Sequence, residues 1–85
     1  MKLNREEISA RLKEILIAAD EKYRAKVNDI DFNSSLATDM GLTSVGMLYL
    51  VIVIEESFSI RFENVGMDDF KTFGDIVNYI ESKQK

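Results

Sequence analysis

The chain predicts an all-α fold: a small four-helix bundle of three main helices and one short helix, with a long first loop. Apolar residues recur at three- and four-residue spacing near both ends, which marks amphipathic helices. Between them lies an almost unbroken apolar run, Met47-Leu48-Tyr49-Leu50-Val51-Ile52-Val53-Ile54. Only one segment alternates like a strand, and a lone short strand has nothing to pair with. Proline is absent, glycine is sparse, and no repeat or low-complexity linker divides the 85 residues, so one domain over residues 1–85 is expected.

The first helix is expected over about residues 4–22. Ile8, Leu12, Ile15, Leu16 and Ala19 form its inner stripe, and Glu6, Glu7, Lys13 and Glu14 its outer face. Asn4 is placed to cap it, with Glu7 three residues later approximating a capping box. From Tyr23 to Thr43 the periodicity fades into isolated apolar residues among Asn, Asp, Ser and Thr. This reads as a long loop pinned at Phe32 and Leu36, a length that is ordinary only for a functional or anchored loop.

The second helix is expected from Thr43 or Ser44 to about residue 57. Met47, Leu50, Val51, Ile54 and Phe58 make one stripe at helical spacing and are assigned to the core. A single face cannot also bury Val45, Leu48, Tyr49, Ile52 and Val53, so either the helix is covered nearly all round or these await a partner. The same run also suits a buried strand, but Glu55, Glu56 and the continuing spacing to Phe58 favour a helix. Ser59-Ile60-Arg61-Phe62-Glu63 is read as an extended connection burying Ile60 and Phe62. A short helix is expected around residues 65–70. Thr72 then caps the last helix, with Asp75 three residues on and Phe73, Ile76, Val77 and Ile80 inward.

Composition narrows the function. Hydrophobic residues make up 46% of the chain, enough to fill a small core without metal or disulfides. Cysteine and histidine are both absent, which removes thiol nucleophiles, Cys/His zinc sites and the commonest general base. Asp39, Glu55 and Glu56 form no recognisable catalytic carboxylate pair, so an enzyme is not expected. The first seven residues lack the apolar core of a secretory leader, and the longest apolar run, eight residues, is far short of a membrane span. A soluble, cytoplasmic monomer is the expectation. Net charge is −4, but between Asp29 and Asp69 eight acids face one base, Arg61. That distribution repels nucleic acid and anionic membranes, and it steers basic protein surfaces toward this region if it has a partner at all.

The segment Asp39-Met40-Gly41-Leu42-Thr43-Ser44-Val45 sets a hydroxyl between a glycine-containing loop and the apolar run. Read alone, Ser44 is a helix cap or a first-turn serine. At a helix N-terminus, open N–H groups and the helix dipole also favour a negative charge, so a phosphodiester on Ser44 is well accommodated. The segment resembles the prosthetic-group site of acyl carrier proteins. In that family the loop usually reads as an acid, an apolar residue, Gly, Leu, Asp, Ser, Leu. The first helix, the anchored loop, the serine, the pair Glu55-Glu56, Phe58 and the last capped helix match the family layout over nearly the whole chain.

The resemblance implies that Ser44 receives 4′-phosphopantetheine from coenzyme A through a phosphopantetheinyl transferase. The arm's thiol then carries acyl or aminoacyl groups as thioesters between acyl-loading and acyl-processing enzymes. Gly41, Leu42 and Thr43 are the expected surroundings of the arm; Val45, Leu48, Tyr49, Ile52, Glu55 and Glu56 are the expected partner surface. Two departures stand out at the loop: Thr43 replaces the usual aspartate, and Val45 the usual leucine. Thr43 keeps a capping hydroxyl but loses a charge that bears on transferase choice. Gly46 and Tyr49 stand where many fatty-acid-synthesis carriers have acids, which points to a specialised carrier for secondary-metabolite or peptide-modifying synthesis. Gly46 also costs roughly 1 kcal/mol of helix propensity, either to admit the arm or a partner or for no functional reason. The alternatives are a housekeeping carrier of fatty-acid synthesis and an unmodified helical adaptor.

Overall fold

The computed structural model describes residues 2–62 and 69–84. It contains three α-helices, α1 (Arg5–Ala19), α2 (Ser44–Phe58) and α3 (Phe73–Lys83), and two 3-10 turns, Glu21–Ala25 and Val27–Asp29. Among the described residues there is no strand, and the β-type contact is an isolated antiparallel bridge between Ser35 and Thr72. The fold is therefore all-helical. The short helix expected over residues 65–70 falls largely outside the described residues. No helix among them is long and apolar enough to cross a membrane.

Helix α1 begins as its sequence dictates. The Asn4 side chain accepts from the Glu7 amide at 2.8 Å, and the Asn4 amide donates to the Glu7 carboxylate at 3.0 Å, closing the capping box. Ile8, Leu12 and Leu16 are buried, and α1 packs against both α2 and α3. The helix stops at Ala19, three residues before the expected end, and Ala19 itself is exposed. Asp20 is the cause: it adopts extended backbone, and its carboxylate accepts from the Lys22 amide at 3.1 Å to cap the 3-10 turn that follows. That turn buries Tyr23, whose hydroxyl donates to the Met40 carbonyl at 2.9 Å.

The loop between Asp29 and Ser44 is anchored, but by a different set of atoms from the one expected. Leu36 is buried, joined by Ile30 and Met40, whereas Phe32 remains 36% exposed. The ring of Phe32 lies under the Arg5 guanidinium, 4.6 Å from its centroid, and 6.4 Å from the ring of Phe73. The pin at residue 32 is its backbone. Gly74 donates its amide to the Phe32 carbonyl at 2.9 Å, Phe73 to Ser34 at 2.9 Å, and Leu36 to Lys71 at 3.0 Å. Glycine at 74 permits this approach, since a Cβ there would stand 2.6 Å from the Phe32 carbonyl oxygen.

Helix α2 buries Met47, Leu50 and Ile54, while Val51 and Phe58 of the expected stripe are only half-buried. It ends on Ser59, whose left-handed backbone (φ 55°) turns the chain so that Ile60 reaches the core. Phe62 is half-buried rather than buried, stacked on Tyr79 at 4.7 Å and edge-on to Phe70 at 5.5 Å. Helix α3 starts with a second capping box: Thr72 accepts from the Asp75 amide at 3.2 Å, and the Asp75 carboxylate accepts from the amides of Thr72 at 3.0 Å and Lys71 at 2.9 Å. Its inward residues Phe73, Ile76, Val77 and Ile80 are all buried. The chain ends are tied by a reciprocal pair in which Leu3 donates to Gln84 and Gln84 to the Leu3 carbonyl, each at 2.8 Å.

Two outcomes are expected. Gly74→Ala should destabilise the fold by about 1–3 kcal/mol, because the new methyl must displace the Phe32 carbonyl and break its hydrogen bond; chemical denaturation measures this. Asp75 gives a pH dependence of known sign. The Lys71 amide first, then the Thr72 amide, hold its carboxylate below the ordinary value. Its stabilisation is thus complete above the unfolded pKa of about 3.9 and lost as pH falls through the lower folded value. Denaturation midpoints of Asp75→Asn should fall less between about pH 5 and pH 3 than those of the parent chain.

Candidate functional site

The start of α2 is built from three consecutive residues with separate tasks. Gly41 adopts φ +69°, a left-handed conformation that only glycine enters freely, and so reverses the loop. Leu42 donates its amide to the Leu36 carbonyl at 2.9 Å, which fixes the turn to the anchored loop. Thr43 is the N-cap: its backbone is extended, and its hydroxyl oxygen accepts from the Gly46 amide at 3.2 Å.

Ser44 follows as the first helical residue and is exposed. Among the described residues nothing hydrogen-bonds its hydroxyl, because the adjacent threonine already caps the helix. The amides of Ser44 and Val45 likewise have no partner among the described residues, while those of Gly46 and Met47 bond to Thr43. An exposed hydroxyl therefore sits beside two open N–H donors at the positive end of a 15-residue helix. A phosphodiester esterified to that oxygen would have these two open amides as donors within the same turn. The donor set fits a 4′-phosphopantetheine arm.

Two clefts flank this point. Ser44 borders one of about 610 Å³, with Ser35, Leu36, Met47, Phe70 and Lys71 on its walls. On the other side a cleft of about 400 Å³ is lined by Leu16, Tyr23, Leu42, Val45 and Tyr49 among others. Thr43 and Leu42 border both. The structure thus gathers Gly41, Leu42, Thr43 and Ser44 at one end of α2.

Gly46 has a packing explanation. A Cβ there would come within 3.3 Å of the Leu42 side chain and 3.6 Å of the Thr43 hydroxyl, so its bareness lets Leu42 fold over the first turn. Of the apolar residues that the core stripe leaves out, Val45, Leu48, Tyr49 and Ile52 lie outside, 76, 57, 53 and 55% exposed, whereas Val53 is half-buried. Glu56 is exposed beside them, but half-buried Glu55 has an internal task, accepting from the Phe62 amide at 2.9 Å.

Sequence reasoning passed over Tyr23, Phe70 and Lys71. Tyr23 carries a readable signal, seven residues beyond Leu16 and so on the same helical phase, but Asp20 interrupts the pattern. Nothing in the local pattern sets Lys71 on the same cleft as Ser44, since that placement depends on the long-range bonds between the loop and the start of α3.

Known proteins match this sequence. The family described as "Phosphopantetheine attachment site" matches residues 10–80. The acyl carrier protein of Thermotoga maritima is 31% identical over 80 residues, covering 94% of this chain and 95% of that protein. That of Renibacterium salmoninarum is 33% identical over 79 residues, 93% of this chain and 94% of that protein. The acyl carrier protein of Exiguobacterium sibiricum is 33% identical over 66 residues, 78% of this chain and 84% of that protein. With the all-helical fold and an open hydroxyl at the start of α2, these matches show that the chain belongs to the acyl carrier protein family, whose members bear 4′-phosphopantetheine and are carriers, not enzymes.

Proposed function

We propose that Ser44 is the attachment residue and that residues 1–85 act as one carrier domain in a specialised pathway, of secondary-metabolite or peptide-modifying type. The observation that carries the assignment is the division between neighbouring hydroxyls. Thr43 caps α2, which leaves the Ser44 oxygen exposed and without a hydrogen bond. When bound, the arm supplies a terminal thiol that holds acyl or aminoacyl groups as thioesters. The chain supplies presentation. Gly41 and Leu42 fix the turn, and the Ser44 and Val45 amides would serve as donors to the phosphodiester.

Partner enzymes, a phosphopantetheinyl transferase first, are proposed to dock on the outer face of α2 through Val45, Leu48, Tyr49 and Ile52, with Glu56 and the outer edge of Glu55 adding charge. Four large apolar side chains exposed on one helix support an interface. The specialised pathway is supported by Gly46 and Tyr49, which make this surface more apolar than that of a typical fatty-acid-synthesis carrier. A cytoplasmic monomer without affinity for nucleic acid or membranes completes the proposal, in keeping with the acidic stretch from Asp29 to Asp69.

Co-expression with a transferase and intact-mass measurement test the attachment. The parent chain should gain one phosphopantetheine and Ser44→Ala none; an arm on Ser34, Ser35 or Thr43 contradicts the assignment, and no arm at all favours the adaptor. Ser44→Ala should leave stability almost unchanged, whereas Thr43→Ala should cost about 0.5–2 kcal/mol through loss of the cap. Docking and folding separate on α2. Ile52→Ser should weaken binding to the transferase more than it lowers the melting temperature, and Glu56→Lys should slow association and reduce its salt sensitivity.

A further inference from the structure

The cleft that Ser44 borders has one charged residue on its walls. Its walls come from the loop (Ser35, Leu36), from the start of α2 (Ser44, Met47) and from the segment leading into α3 (Phe70, Lys71), and Lys71 alone among the lining residues carries charge. Lys71 follows closely on a stretch, Asp29 to Asp69, that contains eight acids and a single base, Arg61.

The backbone of Lys71 is held from both sides. Its amide donates to the Asp75 carboxylate at 2.9 Å, and its carbonyl accepts from the Leu36 amide at 3.0 Å. The Lys71 side chain is exposed, and no hydrogen bond or ion pair among the described residues occupies its ammonium group. The Asp75 carboxylate attracts it electrostatically from beyond ion-pair distance, and accepts the Lys71 and Thr72 amides through one oxygen, Oδ2. A fixed Cα, a flexible four-carbon stem and a charge without an ion pair among the described residues together suit a base that closes on an anion appearing within the cleft.

We propose that Lys71 is the counter-ion of the phosphodiester that joins the arm to Ser44, so that it draws the first segment of the arm across the cleft between the starts of α2 and α3. The proposal rests on attachment at Ser44. Lys71 acts as a positioning residue: it changes where the arm spends its time and not whether the arm is added.

The test uses the holo-protein, with attachment at Ser44 verified by peptide mass spectrometry, in the parent chain and in Lys71→Gln, Lys71→Arg and Lys83→Gln. The last variant removes an exposed lysine at the far end of α3 and controls for net charge. Phosphorus NMR follows the phosphodiester as NaCl rises from about 0.01 M to about 1 M, where screening shrinks the Debye length from about 30 Å to about 3 Å. Because the chain contains no cysteine, a thiol-reactive spin label reacts at the arm's terminus alone, and its line shape reports arm mobility. In the parent chain, Lys71→Arg and Lys83→Gln, the phosphorus resonance should shift with salt, and the label should be more restricted at low salt than at high. In Lys71→Gln most of the salt-dependent shift should be lost, with the label as mobile at low salt as at high. If either readout is the same in Lys71→Gln as in the parent chain, or if Lys83→Gln reproduces the effect, the proposal is overturned. An arm found on another residue overturns the attachment reading itself, which the mass spectrum distinguishes before any resonance is compared.

Discussion

Three backbone hydrogen bonds join a loop to a helix start, and the site depends on them. Gly74 to Phe32, Phe73 to Ser34 and Leu36 to Lys71 lay the loop along the entrance of α3 in a short antiparallel contact. Without them the segment from Ile30 to Thr43 would have only a few buried side chains to oppose its conformational entropy, roughly 1–2 kcal/mol for each ordered residue. With them Leu36 is held, and its carbonyl in turn receives the Leu42 amide that sets the turn before Ser44. The order at Ser44 is thus inherited from contacts made by α3, some 30 residues later in the chain.

At the head of α2 the chemistry is a matter of which hydroxyl does what. A helix start needs an acceptor for its first open amides, and a serine that supplied one would have its oxygen directed inward. Threonine at 43 meets that need and lets the next oxygen face solvent. The same logic explains Gly46, whose missing side chain makes room for Leu42, so the helix penalty of glycine is exchanged for a tightly packed first turn. Along the rest of α2, apolar residues divide between a core face and an outer face. A strongly hydrophobic helix with an exposed apolar side is what a protein that works by successive docking requires.

Much of this was legible in the chain. Both capping boxes follow from Asn4 with Glu7 and Thr72 with Asp75, and the inward residues of α3 follow from their spacing. Local rules succeed where the relevant partner lies three or four residues away. They fail where it lies far off: Phe32 looked like an apolar anchor, yet its carbonyl, and not its ring, is the anchoring atom. The early end of α1 was missed because its apolar stripe reaches Ala19 and Asp20 was not read as a cap, while the aspartate's preference for capping the next turn decides the boundary. Glu55 was read as surface charge for want of any local sign that the chain reverses at Ser59 and brings the Phe62 amide back to it. At the proposed site, the motif singles out Ser44, whereas the cleft it borders and the place of Lys71 on that cleft are products of tertiary structure.

Amide hydrogen exchange tests the central claim, that the loop holds Ser44's helix start on a frame fixed by α3. Opening of a cooperative unit exposes all of its amides together. The account predicts that the amides of Leu36, Leu42, Phe73 and Gly74 exchange at one common rate, close to that of buried amides within α1 and α3. Rapid exchange at Leu36, Leu42 and Gly74 while the helices stay protected would contradict it, and would show that the serine is presented by a loop moving independently of the bundle.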